Sequence, residues 1–247
     1  MIKWLAAHLI SALFERKIRV DKKKNGNRVL KLDLRAVEKS LKGVERNWER
    51  IDDELERRKI GRKDTPFNSG IREHMMSAYE RLDGLLRKGT EPFSDNSISD
   101  ILELNNLVHY GTDNRLRLEY IKALNANTKK YYENIGPIIK WHKKHIQSDS
   151  PLKVSAEIYV AILGHPQLFF EGNHRTGSII SSWVSMYHGH PPFVLSSENA
   201  IAYFAPSAQI KAFADKSTWR GRRKLPKYRK SFKEFWESNI DESYVQK

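Results

Sequence analysis

The sequence predicts a mainly α-helical fold, and three features carry that prediction. Apolar residues recur every third or fourth position through most of the 247-residue chain. Some of these stretches are opened by Ser, Asp or Asn near Pro or Gly, and some are closed by Gly. Alternating, strand-like patterning is confined to a short region near the N-terminus.

Taken in order, Ile2, Trp4, Leu5, Leu9, Ile10, Leu13 and Phe14 form a short apolar stretch, read as an amphipathic helix docked on the body. It is too short to span a bilayer. Glu15-Arg16-Lys17 follows it, where a secretory leader would carry small residues. Between Ile18 and Asp33, Asn25-Gly26 joins two alternating runs and predicts a β-hairpin. Val37, Leu41, Val44, Trp48, Ile51 and Leu55 then make one helical stripe. Asp64-Thr65-Pro66 and Asn68-Ser69-Gly70 break the chain before a second stripe, Ile71 to Leu85, which ends at Gly89.

A linker with Pro92 comes next. Helical patterns follow at about 97–109, 115–127, 128–145, 152–164 and 176–188. Ser150-Pro151 opens the fourth of these and Gly189-His190-Pro191-Pro192 stops the last. Ser196 or Ser197 can cap a short helix through Tyr203, and Phe232, Phe235 and Trp236 predict a final helix from Ser231. The expected organisation is an N-terminal helical and hairpin extension over residues 1–95, a helical core over 96–205 and a basic helical tail over 206–247. One or two short hairpins complete it.

Composition narrows the chemistry. Six Trp, ten Tyr and ten Phe provide core material despite a hydrophobic fraction of 39%. The absence of cysteine excludes disulfides, thiolate zinc sites and cysteine nucleophiles, and is compatible with a cytoplasmic protein. A net charge of +14 points to a polyanionic partner, nucleic acid or an acidic membrane surface, the alternative being a basic proteome or a solubility bias. The densest charge, Arg220 to Lys224 and Lys227 to Lys230 with Tyr228 among them, predicts nucleic-acid contact through the tail. His142 and His145 lie three residues apart, but no third ligand accompanies them, so both are expected at the surface.

The chemically densest stretch is Glu171-Gly172-Asn173-His174-Arg175-Thr176-Gly177, directly before the run Ile179, Ile180, Trp183, Val184 and Tyr187. A glycine turn that opens a helix points backbone N–H groups and the positive end of the helix dipole at an anion. Arg175 adds a guanidinium fork suited to phosphate. Glu171 is a hard oxygen donor for Mg²⁺ bridging phosphate oxygens. A Gly-Asn turn also caps helices for structural reasons alone, and that alternative stands beside the anion site.

The run His165-Pro166-Gln167-Leu168-Phe169-Phe170-Glu171-Gly172-Asn173-His174-Arg175-Thr176-Gly177 resembles the active-site loop of the Fic/Doc (Fido) family. The family's motif is His-Pro-Phe-x-Asp/Glu-Gly-Asn-Gly-Arg, and the likeness covers roughly residues 97–205. The resemblance implies ATP or another nucleotide, Mg²⁺, and transfer of a nucleotidyl or phosphoryl group to hydroxyls of a target protein. It implies Glu171 as the metal ligand and Gly172, Asn173, His174, Arg175 and Gly177 as the nucleotide-binding turn. Two departures matter. Gln167 stands at the position of the catalytic His, and an amide cannot serve as an ordinary general base. His174 stands where most members have Gly, and Doc-like members carry a bulky Lys. It is expected to crowd the site in the same way, with reversed nucleotide binding and phosphoryl transfer, or to be the proton carrier itself, or to be a solvent-facing loop residue. His165, two residues before Gln167, is the other candidate base, its alternative being a structural role. Ser99 and Glu103 have the Ser-x-x-x-Glu spacing of the family's inhibitory helix, the alternative being a solvated acid. Association with a second copy of the chain completes the partner expectations.

Overall fold

The computed structural model describes residues 29–60, 66–215 and 217–247. The amphipathic stretch at Ile2–Phe14, most of the expected hairpin and Asp64-Thr65 lie outside the described residues. Among those described, the fold is mainly α, with ten α-helices and no strand beyond two isolated bridges, Leu32 with Val245 and Phe193 with Ile240. The described end of the expected hairpin pairs with the C-terminal tail: Leu32 bridges Val245, and Gln246 N–H donates to the Lys31 carbonyl at 3.0 Å.

The stripe expected as one helix forms two, α1 (Leu34–Arg46) and α2 (Trp48–Arg57). The break is at Asn47, whose side-chain Nδ2 donates to the Gly43 carbonyl at 2.8 Å, competing with the helix for that acceptor. The buried face runs on across it through Val44, Trp48 and Ile51. Asp33 starts α1 by accepting from the N–H groups of Arg35 and Ala36 at 3.0 and 3.1 Å. Asn68 caps α3 (Ser69–Arg87) by accepting from Ile71 N–H at 3.0 Å.

Next come α4 (Ile98–Tyr110), the short α5 (Asn114–Glu119) and α6 (Ile121–His145). The boundary expected at 127/128 falls instead at Tyr120. Asn127 does not cap its own helix because its amide is bonded to Asn105 at 2.9 Å, and Thr128 Oγ1 turns back to the Leu124 carbonyl at 2.8 Å. His142, expected at the surface, is 2% exposed. Its ring packs on Phe93 at 4.8 Å, and burial pushes its pKa down to about 4.

Pro151 occupies the first turn of α7 (Pro151–Ile162). Helix α8 (Asn173–Tyr187) starts three residues before the expected position, so its first turn is the charged motif itself. Helix α9 (Ala200–Ala212) runs well past Tyr203, and α10 (Trp219–Asn239) starts at Trp219 where Ser231 was expected, with Thr218 as its N-cap. The basic segment is thus the first half of a packed helix. Leu225, Phe232, Phe235 and Trp236 are buried, and α10 packs on α7 and α9.

Helix α8 is central, packed by α7, α3 and α4, with twelve of its fifteen residues buried. Its serines reach outward to fix neighbours: Ser182 Oγ donates to the Phe193 carbonyl and Ser185 Oγ to Ser155 Oγ, both at 2.9 Å. One hydrophobic cluster extends from Leu32 to Trp236 and includes residues of all three expected segments. Among the described residues, no helix is long and apolar enough to cross a membrane.

Candidate functional site

The turn into α8 is held from both sides. Before it, Phe169 is buried and stacks on Tyr131 at 5.5 Å. Asn173, the first residue of α8, clamps Phe169 with both amide atoms: Oδ1 accepts from its N–H and Nδ2 donates to its carbonyl, each at 2.9 Å. Between them Gly172 adopts φ +71°. A Cβ there would stand 2.4 Å from His109 Nε2, so conformation and space both demand glycine. Thr176 N–H donates to the Gly172 carbonyl at 2.8 Å, the first bond of the helix.

Polar side chains from α4 and α6 brace this turn. Asn105, 1% exposed, donates to the Glu171 carbonyl at 3.1 Å and to Thr176 Oγ1 at 2.9 Å. Its Oδ1 accepts from Asn127, whose own Oδ1 accepts from Phe170 N–H at 3.0 Å. Lys130 donates to the Phe169 carbonyl at 2.9 Å and lies over the exposed Phe170 ring. These bonds satisfy buried polar groups that would otherwise be costly, and they fix the loop's path.

The turn lines a cavity of about 410 Å³. Gln167 and Phe170 through Arg175 form one wall. Phe67, Ile71 and Met75 at the start of α3 form an apolar wall, and Tyr203, Phe204 and Lys211 of α9 form another. Among the described residues, Arg175 and Lys211 are its cations. Arg175 Nη1 donates to the Val108 carbonyl at 3.2 Å, which anchors the guanidinium to the end of α4. Burial, and then the Arg175 charge, lowers the pKa of both His74 and His109, so the imidazoles around Arg175 are neutral near pH 7. Burial, and then Glu171, raises the pKa of Tyr110.

Six of the expected residues come together in this cavity: Gln167, Glu171, Gly172, Asn173, His174 and Arg175. Asn173 holds the turn through Phe169. Gly177 is not at the cavity. It is buried against Tyr159, where a Cβ would come within 3.1 Å of the ring, so its smallness serves the packing of α8 on α7. His165 is exposed and off the cavity wall. Ser99 is exposed. Both carboxylate oxygens of Glu103 are taken by Arg117, the closer contact at 2.8 Å, while the same guanidinium donates to the Gly111 carbonyl at 2.7 Å. In this conformation Glu103 ties α4 to α5.

Sequence reasoning missed His74, Asn105, His109, Asn127, Tyr159 and Tyr203. The available signal was the polar pair Asn105 and His109, one helical turn apart among the apolar residues Ile101, Leu104 and Val108.

Glu171 is exposed, and among the described residues it is the single carboxylate lining the cavity. Among the described residues no cluster of three or more His, Cys, Asp or Glu could hold a metal ion. The donor set therefore does not make a metal cage built from protein alone. It fits Mg²⁺, which binds through one or two carboxylates completed by substrate phosphates and water. Comparison with protein-family models, curated proteins and solved structures finds no match.

Proposed function

We propose that the protein binds a nucleotide through its polyphosphate at the start of α8 and transfers a nucleotidyl or phosphoryl group to hydroxyls of another protein, as the Fic/Doc resemblance implies. The observation that carries this reading is the convergence of Gly172 to Arg175 on one cavity that also holds Lys211. The first N–H groups of a helix have no intrahelical partner and favour negative charge. Arg175, already anchored on Val108, presents its guanidinium with little freedom left to lose. The apolar wall of Phe67, Ile71 and Met75 suits a nucleobase. Glu171 would hold Mg²⁺ with the phosphate oxygens, and the ion would neutralise charge there.

His174 takes the proton of the attacking hydroxyl, since among the described residues it is the imidazole that lines the cavity and Gln167 cannot serve. The new O–P bond forms as the bond to the leaving group breaks. Attack at the α-phosphorus releases pyrophosphate, and attack at the γ-phosphorus releases the nucleoside diphosphate. Positioning and electrostatic clamping supply most of the acceleration.

The test is incubation with Mg²⁺, a protein extract and ATP labelled at the α or the γ phosphate. Label from α on protein means nucleotidyl transfer, and label from γ alone means phosphoryl transfer. Nucleotide binding with neither label favours the second reading, a nucleotide-binding module without transfer, to which Gln167 points. Absence of binding removes both.

A polyanion partner rests on a different surface. From Trp219 to Lys233, α10 carries no acid, and Arg222, Arg223, Lys224, Lys227 and Lys230 are exposed. Trp219 is 64% exposed, with Arg223 5.1 Å from its ring. Phosphates and stacked bases suit that combination. A gel shift with arbitrary duplex or single strands that fades steeply with salt supports it, and no shift at low salt removes it.

A further inference from the structure

Behind the cavity wall, α7, α8 and α9 close a ring of three hydrogen bonds. Tyr203 Oη donates to the backbone carbonyl of His174 at 2.9 Å. Tyr159 Oη lies 2.9 Å from Tyr203 Oη, and also 2.9 Å from His174 Nδ1. A carbonyl only accepts, so the one hydroxyl proton of Tyr203 is committed to it. Tyr203 must then accept from Tyr159, which commits that hydroxyl's one proton. The contact between Tyr159 and the imidazole is left needing a donor, and only Nδ1–H can supply it.

Neither phenol has room to rearrange. Tyr159 is fully buried and stacks on Phe232 at 4.2 Å, and Tyr203, 3% exposed, stacks on Phe193 at 5.1 Å. Burial, and then Tyr203, raises the pKa of Tyr159 well above that of an ordinary phenol, so its proton stays in place.

We infer that Tyr159 and Tyr203 are positioning residues that hold neutral His174 in its Nδ1–H tautomer and so place the basic lone pair on Nε2. The inference deepens the reading of His174 as proton acceptor and rests on it for its purpose, but the tautomer is argued from the hydrogen-bond ring and not from that reading. When the hydroxyl O–H of a target breaks and its proton arrives on Nε2, the Nδ1–H···Oη bond is already made. It stabilises the imidazolium with no reorganisation. This is the service an acceptor behind the ring performs for a catalytic histidine.

The test is a long-range ¹H–¹⁵N spectrum of the histidine rings in the full-length protein, with His174 assigned by the signals lost in His174→Gln. At a pH where the ring is neutral, the expected pattern is a protonated Nδ1 and an unprotonated Nε2. Tyr203→Phe removes the acceptor of the Tyr159 proton. Tyr159 then donates to Nδ1, and the pattern is expected to invert. A wild-type ring protonated on Nε2 overturns the inference, and that result does not depend on whether any variant folds. An unchanged pattern in a folded Tyr203→Phe protein, with folding checked by near-UV circular dichroism, overturns the assignment of the tyrosines. Adding Mg²⁺ and inorganic pyrophosphate separates the two levels. If the Nδ1–H tautomer is present but pyrophosphate moves no His174 or Arg175 signal, the ring stands and the proposed function fails. If pyrophosphate moves those signals while Nε2 carries the proton, the cavity stands and the ring argument fails.

Discussion

The first turn of α8 and the outer face of α10 both offer positive charge, yet they are built in opposite ways. At α8 the cation is Arg175, tied to the Val108 carbonyl and bordered by imidazoles that burial and the guanidinium itself keep neutral. The turn beneath it is fixed by a glycine, two asparagines and a stacked phenylalanine. On α10 the cations are exposed side chains along a helix that contains Pro226, and among the described residues no comparable cage surrounds them. The comparison teaches that charge held on a bonded framework makes a site with shape, whereas many solvated charges make only a field. The first can select a ligand and the second mainly attracts one.

The largest effect expected from breaking the α8 arrangement is that of Gly172→Ala. It forces a side chain into φ +71° and against His109, and should lower stability by about 3 kcal/mol or more in urea unfolding. Gly89→Ala is the matched control. Gly89 also has positive φ, +66°, but a Cβ there meets nothing within 4 Å, so the cost should be about 1 kcal/mol. Equal costs would mean that the cage around Gly172 gives way.

On α10, replacing Lys224 and Lys227 together by Ala should leave stability nearly unchanged. If nucleic acid binds there, the slope of log affinity against log salt should fall by roughly 1.4 to 1.8, at 0.7 to 0.9 per lost contact. An unchanged slope would move the contact elsewhere.

Acidification separates the two surfaces by a smaller margin. The folded pKa of His109 lies below its ordinary value of 6.5, so its contribution is complete above that pH. As pH falls below 6.5 the unfolded chain takes up the proton first, and stability is lost until the folded pKa is passed. His74 and His142 act in the same direction, so the diagnostic is a difference. The urea midpoint of His109→Gln should fall less between pH 7 and pH 5 than that of the wild type. The Arg and Lys charges of α10 do not change in this range.

The smallest effect is expected from Glu103→Ala. It releases the Arg117 bridge between α4 and α5 at a cost of about 0.5 to 1 kcal/mol and leaves nucleotide affinity unchanged. A clear gain in affinity would revive the inhibitory role implied by the Ser99–Glu103 spacing.

The difference between the two regions also explains what the sequence disclosed. The α8 turn was legible because its residues are contiguous and glycine, asparagine, acid and arginine carry distinct chemistry. Its cage was not, because Asn105, His109, Asn127, Tyr159 and Tyr203 come from four helices and each passes for an ordinary helical residue. The helical class was legible from periodicity, but boundaries set by side-chain bonding were not. Asn47 breaks a continuous stripe, whereas Asn127, engaged with Asn105, fails to break one. The start of α10 was obscured because its first half offers only Leu225 and Gly221 to the interior, beneath a dense run of charge.

The central claim is that the α8 turn is a polyphosphate site organised around Arg175. Titration calorimetry with Mg²⁺ and ATP, on the wild type and on Arg175→Ala, tests it most directly. The account predicts saturable binding at one site, weakened about 10- to 100-fold by the substitution, as expected for a lost charged hydrogen bond. No heat from the wild type, or equal affinity in a folded Arg175→Ala protein, would contradict it.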